Sequence, residues 1–160
     1  MKPYKVVIAI ALSIGILPMD LSYANESVDV FDFIQRYECG SWPTLRAYFD
    51  YKWYSIWCGT PSYKGEMITR EEAMKRFRWY VQKRIDIVQR DFPKVKWGQM
   101  VALVSLASNN GTCYKYFKKH WVNEYSWRNK CDKVKIHWKL KALRGLTIRR
   151  NHEADLYFSK

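Results

Sequence analysis

Apolar side chains recur with a helical period at Phe31, Ile34 and Tyr37, so a short amphipathic helix is expected over Val30 to Glu38. Asp29 suits its N-cap, since a carboxylate there can accept from the free amides of the first turn, and Gly40 suits its end. Glu38 then falls on the last turn, just ahead of a loop. From Ser41 to Lys64 the pattern changes. Aromatic residues from Trp42 to Tyr63 are interrupted by Pro43, Gly59 and Pro61, which fits short strands and turns better than helix. Thr69-Arg70-Glu71-Glu72 has the form of a capping box and opens a long helix to about Arg90, closed by Asp91 and Pro93. Trp97 to Ala107 carries Met100, Val101, Leu103, Val104 and Leu106 and predicts a buried central helix, ended by the turn chemistry of Asn109-Asn110-Gly111. Beyond it, shorter helices are expected around Tyr114 to His120, Ser126 to Lys130 and Lys135 to Leu140, with a last helix from about Leu146 to Tyr157. A small strand-rich segment followed by a helical bundle makes an α+β domain dominated by helix.

The 160 residues suffice for one such domain. Its beginning follows different rules. Lys2 and Lys5 form a basic start, Val6 to Leu17 is an apolar run, and Ser22-Tyr23-Ala24 puts small residues at −3 and −1. That is the pattern of a secretory signal peptide cut after Ala24, which leaves 25–160 as the working domain; an uncleaved anchor is the alternative. The run is short of the roughly 20 apolar residues that span a bilayer. Export changes the meaning of two other features. Cys39, Cys58, Cys113 and Cys131 meet an oxidising compartment, their spacing matches no zinc motif, and two disulfides are expected, with three pairings open. The net charge of +13 calls for an anionic partner. Outside the cytoplasm that partner is a membrane or a bacterial wall and not nucleic acid. Lysine groups such as Lys115, Lys118 and Lys119, or Lys133, Lys135, Lys139 and Lys141, are solvated faces that can also hold the protein on such a surface. His120, His137 and His152 share no ligand spacing, so no metal site and no Ser–His hydrolase is expected.

Glycoside hydrolysis needs two carboxyl groups flanking the bond, one to protonate the leaving oxygen and one to activate water or stabilise the cation. Glu38 at a helix end and Asp50 beside a strand turn are candidates. The residues around them carry a resemblance. Leu45-Arg46-Ala47-Tyr48-Phe49-Asp50 is followed by Ser55-Ile56-Trp57-Cys58-Gly59-Thr60, then by Ile68-Thr69 and Glu72-Ala73. Gln99, Ala102-Leu103-Val104-Ser105 and Asn109-x-Gly111 form a central block, and Gly145-Leu146-x-x-Arg149-Arg150-x-x-Glu153-x-x-Leu156 a closing one. In their order these motifs resemble those of the phage-type lysozymes, glycoside hydrolase family 24, over about Phe31 to Tyr157.

The resemblance implies a lysozyme-like fold, with a small β-hairpin subdomain beside a mainly helical bundle. It implies a muramidase that cuts the β-1,4 bond between N-acetylmuramic acid and N-acetylglucosamine with inversion and without a cofactor. Glu38 matches the general acid, Asp50 the carboxylate that positions water, and Ser55 the residue that helps hold that water. A general acid must keep its proton until it delivers it, so apolar surroundings are expected for Glu38. Thr60 matches a position that lines the cleft, and Trp42, Trp53, Tyr54 and Trp57 are candidates to stack on sugar faces. Arg149, Arg150 and Glu153 match a mainly structural motif, with Glu153 paired to an arginine at i+3 or i+4 spacing. The implied partner is the peptidoglycan glycan strand, met by a monomer, with a secretion apparatus as a further candidate partner.

Several positions depart from the family pattern. Cys39 stands where Gly follows the catalytic Glu, Trp57 and Cys58 stand for a Gly and a Tyr, and the spacer from Glu38 to Asp50 is longer. Cys39 and Cys58 lie in the two segments that flank the implied active site, so a bridge between them would pin the Glu38 helix to the hairpin. Cys113 and Cys131 remain for a second bridge, worth about 3 kcal/mol on the chain-entropy model. The rival readings are a wall-binding protein that has lost catalysis and a cationic protein that disrupts membranes by charge alone.

Overall fold

The computed structural model describes residues 28–39, 44–50, 53–120, 123–131, 133–136 and 139–159. The expected signal peptide, Gly40 and Trp42 lie outside the described residues. Helix α1 spans Val30–Glu38. Asp29 caps it, its Oδ1 accepting from the amides of Phe31 at 2.7 Å and Asp32 at 3.0 Å. Its buried face is Val30, Phe33 and Ile34, so the stripe is turned towards Phe33 relative to the Phe31–Ile34–Tyr37 spacing read from the sequence.

Three short antiparallel strands follow, β1 (Tyr48–Asp50), β2 (Trp53–Ile56) and β3 (Thr60–Ser62), in that order across the sheet. Tyr48 pairs with Ser55, Phe49 with Tyr54 and Asp50 with Trp53; on the other side Ile56 pairs with Thr60. The β2–β3 turn needs left-handed backbone at Cys58 (φ 56°) and Gly59 (φ 68°). Glycine takes that conformation without cost, and Cys58, which also takes it, is bridged to Cys39. Glu66 ties the sheet to the bundle: its carboxylate accepts from the Ser62 hydroxyl at 2.7 Å and from Arg76 Nη2 at 2.8 Å.

Helix α2 (Arg70–Asp91) starts as the capping pattern predicts, with Thr69 Oγ1 accepting from the Glu72 amide at 3.2 Å. The Glu72 carboxylate accepts from Arg76 Nε one turn later at 2.9 Å. Ala73, Phe77, Val81, Ile85 and Val88 form one buried stripe along the helix. Helix α3 (Trp97–Asn109) is buried from Met100 through Leu106 and touches α1, α2, α4 (Gly111–His120) and α6 (Arg144–Phe158). With α5 (Glu124–Lys130) these close an aromatic cluster of Phe92, Phe117, Trp127, Tyr157 and Phe158. The second disulfide joins Cys113 to Cys131, across a Cα–Cα distance of 5.8 Å.

The helix expected over Lys135 to Leu140 is absent. The chain there forms a two-stranded hairpin, β4 (Lys133–Ile136) with β5 (Lys139–Ala142), in which Lys133 pairs with Ala142 and Ile136 with Lys139. Lys-Val-Lys-Ile and Lys-Leu-Lys-Ala each alternate with period two, which is the spacing of a strand and not of a helix. Among the described residues no helix is long and apolar enough to cross a membrane.

Candidate active site

Glu38 is the last residue of α1, and its side chain is 23% exposed. Its Oε1 accepts from Arg149 Nη1 of α6 at 2.5 Å. Arg149 is itself buried and fully engaged: Nε donates to Ser105 Oγ at 3.1 Å and to Glu153 Oε1 at 3.2 Å, Nη2 donates to the Ser105 carbonyl at 3.0 Å, and the guanidinium lies 5.4 Å over the Tyr37 ring. Glu153 also accepts from Ser105 Oγ and from Trp127 Nε1, and its Oε2 lies 2.9 Å from Arg150 Nη1. A buried charge is costly unless paired and hydrogen-bonded, and here Arg149 and Glu153 meet that demand. Tyr37 closes the α1 side, its hydroxyl hydrogen-bonded to His152 Nδ1. Apolar surroundings are expected for Glu38, and the structure adds the buried Arg149 to them.

Asp50 ends β1 in the sheet. Strand alternation sets Asp50, Tyr48, Ser55 and Trp53 on one face, since Asp50 opposes Trp53 and Tyr48 opposes Ser55. Tyr48, on that face, is influenced by both carboxylates. Burial pushes its phenol above the ordinary value, and the negative charges of Asp50 and then Glu38 push it the same way. The Cys39–Cys58 disulfide, with a Cα–Cα distance of 4.3 Å, makes a link from the residue after Glu38 to the β2–β3 turn.

Of the aromatic candidates, Trp53 is 65% exposed beside Asp50. Tyr54 is on the opposite face of the sheet, in edge contact with Phe49 at 5.4 Å between centroids. Trp57 and Thr60, expected on the cleft wall, are buried instead. The Trp57 ring is 6% exposed and packs near Phe77, and the Thr60 hydroxyl donates to the carbonyls of Ile56 and Trp57 at 3.3 and 3.1 Å. Both stabilise the turn that carries Cys58. Ser55 is buried on the Asp50 face. From the sequence, Arg149 is expected to be structural and Tyr48 is one residue of a motif. The Arg-Arg-x-x-Glu spacing gives the pairs within α6, whereas the reach of Arg149 across 111 positions to Glu38 exists only in the folded chain.

The fold is lysozyme-like, as the resemblance of the motifs implies. The chain is similar to the endolysin from Escherichia coli O157:H7 phage FAHEc1, with 27% identity, 83% of this chain and 92% of that one covered, and a TM-score of 0.60. It is also similar to the muramidase domain of SpmX from Asticaccaulis excentricus, with 18% identity, 84% of this chain and 98% of that one covered, and a TM-score of 0.66; at that identity the likeness is one of fold. No protein-family model and no curated protein sequence matches the chain.

Proposed function

We propose that this protein is an exported peptidoglycan hydrolase, a muramidase that cleaves the β-1,4 bond between N-acetylmuramic acid and N-acetylglucosamine. The observation that carries the reading is a pair of carboxyl groups in different surroundings, Glu38 at a helix end against the buried Arg149 and an exposed Asp50 at the end of β1, with the Cys39–Cys58 bridge joining the Glu38 helix to the sheet. Glu38 gives its proton to the glycosidic oxygen as the bond breaks. Asp50, with Ser55, orients a water and takes its proton as the oxygen adds to the anomeric carbon from the other side, which inverts it. Trp53 offers a ring to a sugar beside Asp50. The likeness to an endolysin and to a muramidase domain supports the substrate class. No cofactor and no metal take part.

Two disulfides support an oxidising compartment, and with the amino-terminal pattern they support export to the periplasm or beyond, with cleavage near Ala24. The charge of +13 draws a monomer to the anionic wall, an attraction that added salt weakens. Local opening of the wall for a secretion apparatus and lysis of the cell are both roles that such an enzyme fits. The Arg149 contact favours one other reading, a wall-binding protein in which Glu38 serves to anchor α1 to α6. Mass spectrometry of the soluble products from purified peptidoglycan separates these. Fragments with reducing N-acetylmuramic acid ends are expected. Anhydro ends would replace hydrolysis with a transglycosylase reaction, and binding without fragments would favour the second reading.

A further inference from the structure

A groove of about 370 Å³ lies between the last turns of α2 and helix α4, with Ala107 of α3 also in its wall. Arg84, Ile87 and Asp91 reach it from one face of α2, and Gly111, Lys115 and Lys118 from one face of α4. Four of its side chains are cationic (Arg84, Arg90, Lys115 and Lys118) against one carboxylate.

That carboxylate is already satisfied. Asp91 Oδ1 lies 2.9 Å from Lys118 Nζ and 3.1 Å from Arg90 Nε, and Oδ2 accepts from the Tyr114 hydroxyl at 3.0 Å. Burial alone would raise the Asp91 carboxyl, but the hydrogen bonds from Lys118, Tyr114 and Arg90 outweigh it and hold it below the ordinary range. Two of the four cations are thus occupied with Asp91.

Arg84 and Lys115 have no carboxylate partner among the described residues. The Arg84 guanidinium sits 4.8 Å over the Tyr80 ring, its Nη2 reaches the Tyr80 hydroxyl at 3.4 Å, and its Nε is buried without a hydrogen-bond partner. Buried polar groups are ordinarily hydrogen-bonded, and this N–H, like that of Trp57 Nε1, has no acceptor among the described residues. The groove also receives the first residue of α4, Gly111, and with it the positive end of that helix.

We propose that this groove binds an oxyanion, a carboxylate or phosphate carried on a small carbon body, with Arg84 and Lys115 holding the anion. The planar guanidinium offers paired donors to two oxygens of such a group. Ile87, Ala107 and the Tyr114 ring give the adjoining carbon atoms an apolar surface. Stem-peptide carboxylates of the wall and phosphates of envelope polymers or lipid headgroups share this chemistry. The site is separate from Glu38 and Asp50 and stands whether or not the protein hydrolyses glycan.

The test is a nitrogen-15 NMR titration of the disulfide-bonded protein with inorganic phosphate and, separately, with D-alanyl-D-alanine. Saturable shifts are expected at Arg84 Nε–H and at the amides of residues 111–118. Arg84→Gln should weaken binding at least tenfold and Lys115→Gln severalfold, while Lys75→Gln, an exposed cation elsewhere on α2, should leave it unchanged. Should Arg84→Gln fail to fold, Arg84→Lys keeps the charge and loses the fork, and should bind more weakly than the native protein. Saturation by the dipeptide assigns the carboxylate source, and saturation by phosphate alone assigns the phosphate source. Shifts that grow linearly and scatter over surface lysines with both probes overturn the proposal, as does an Arg84→Gln protein that binds like the native one. The readout needs no turnover, so its failure leaves the hydrolase reading intact, and the reverse holds too.

Discussion

Glu38 and Asp50 are held by different kinds of structure. Glu38 rests on Arg149, which is 2% exposed and fixed by Ser105 and Glu153 inside the bundle. Asp50 ends a three-residue strand whose neighbours Tyr48, Phe49 and Trp53 are all exposed. A sheet of this size is marginal alone, and it depends on its anchors: the Cys39–Cys58 bridge, the buried Ile56 and Trp57, and the Glu66–Arg76 ion pair. One carboxyl group is therefore positioned by the core and the other by a thin layer stapled to it. The two sides should answer differently to substitution. Damage to the bundle should appear as lost stability, and damage to the sheet face as lost turnover or binding.

The largest expected effect breaks the core side. Glu153→Ala leaves Arg149 and Arg150 buried without their shared carboxylate, and should cost about 3–5 kcal/mol in denaturant unfolding. A loss under about 1 kcal/mol would show that the network does not anchor α6. Next comes the staple. Replacing Cys39 and Cys58 together by Ser should cost about 3 kcal/mol. Measured well below its melting point, this variant should also hydrolyse more slowly than the native protein; equal rates would mean that the sheet needs no staple to place Asp50. A smaller effect depends on pH. Arg76, then Ser62, hold the Glu66 carboxyl below its ordinary value of 4.5. That contribution is complete above pH 4.5 and is lost as the pH falls through the lower folded value. The melting temperature of the native protein should thus fall more steeply between pH 5 and 3 than that of Glu66→Gln, and parallel curves would contradict the pair's role. The smallest effect on stability is at Trp53. Trp53→Ala should stay within about 0.5 kcal/mol of the native stability, because the ring is exposed, yet raise KM for glycan chains. An unchanged KM would contradict the proposed contact of Trp53 with a sugar.

How much of this was legible in the chain follows the range of the interactions. Caps are local: Asp29 and Thr69 bond amides two or three residues away, and both helix starts fell where the residues placed them. The buried central helix was legible because its apolar run leaves hardly any polar face. The Lys-x-Lys alternation of β4 and β5 is also in the sequence, and its period of two, not the helix expected over Lys135 to Leu140, matches the structure. Trp57 and Thr60 needed the fold. A motif places them near the cleft, but only the tight left-handed turn at Cys58 and Gly59 decides that they point inward. Tyr54 followed from strand parity once the register was known, and Arg149 could be tied to Glu38 only by the packing of α6 against α1.

The central claim is that Glu38 supplies the proton for cleavage. It is tested most directly by Glu38→Gln, which keeps an acceptor for Arg149 but has no proton to give. The folded variant is incubated with purified peptidoglycan beside the native protein, and the released fragments are quantified by mass spectrometry. The account predicts that the variant keeps the native fold and sediments with the wall but releases fragments at least about a hundredfold more slowly. A variant that releases fragments at the native rate would contradict it.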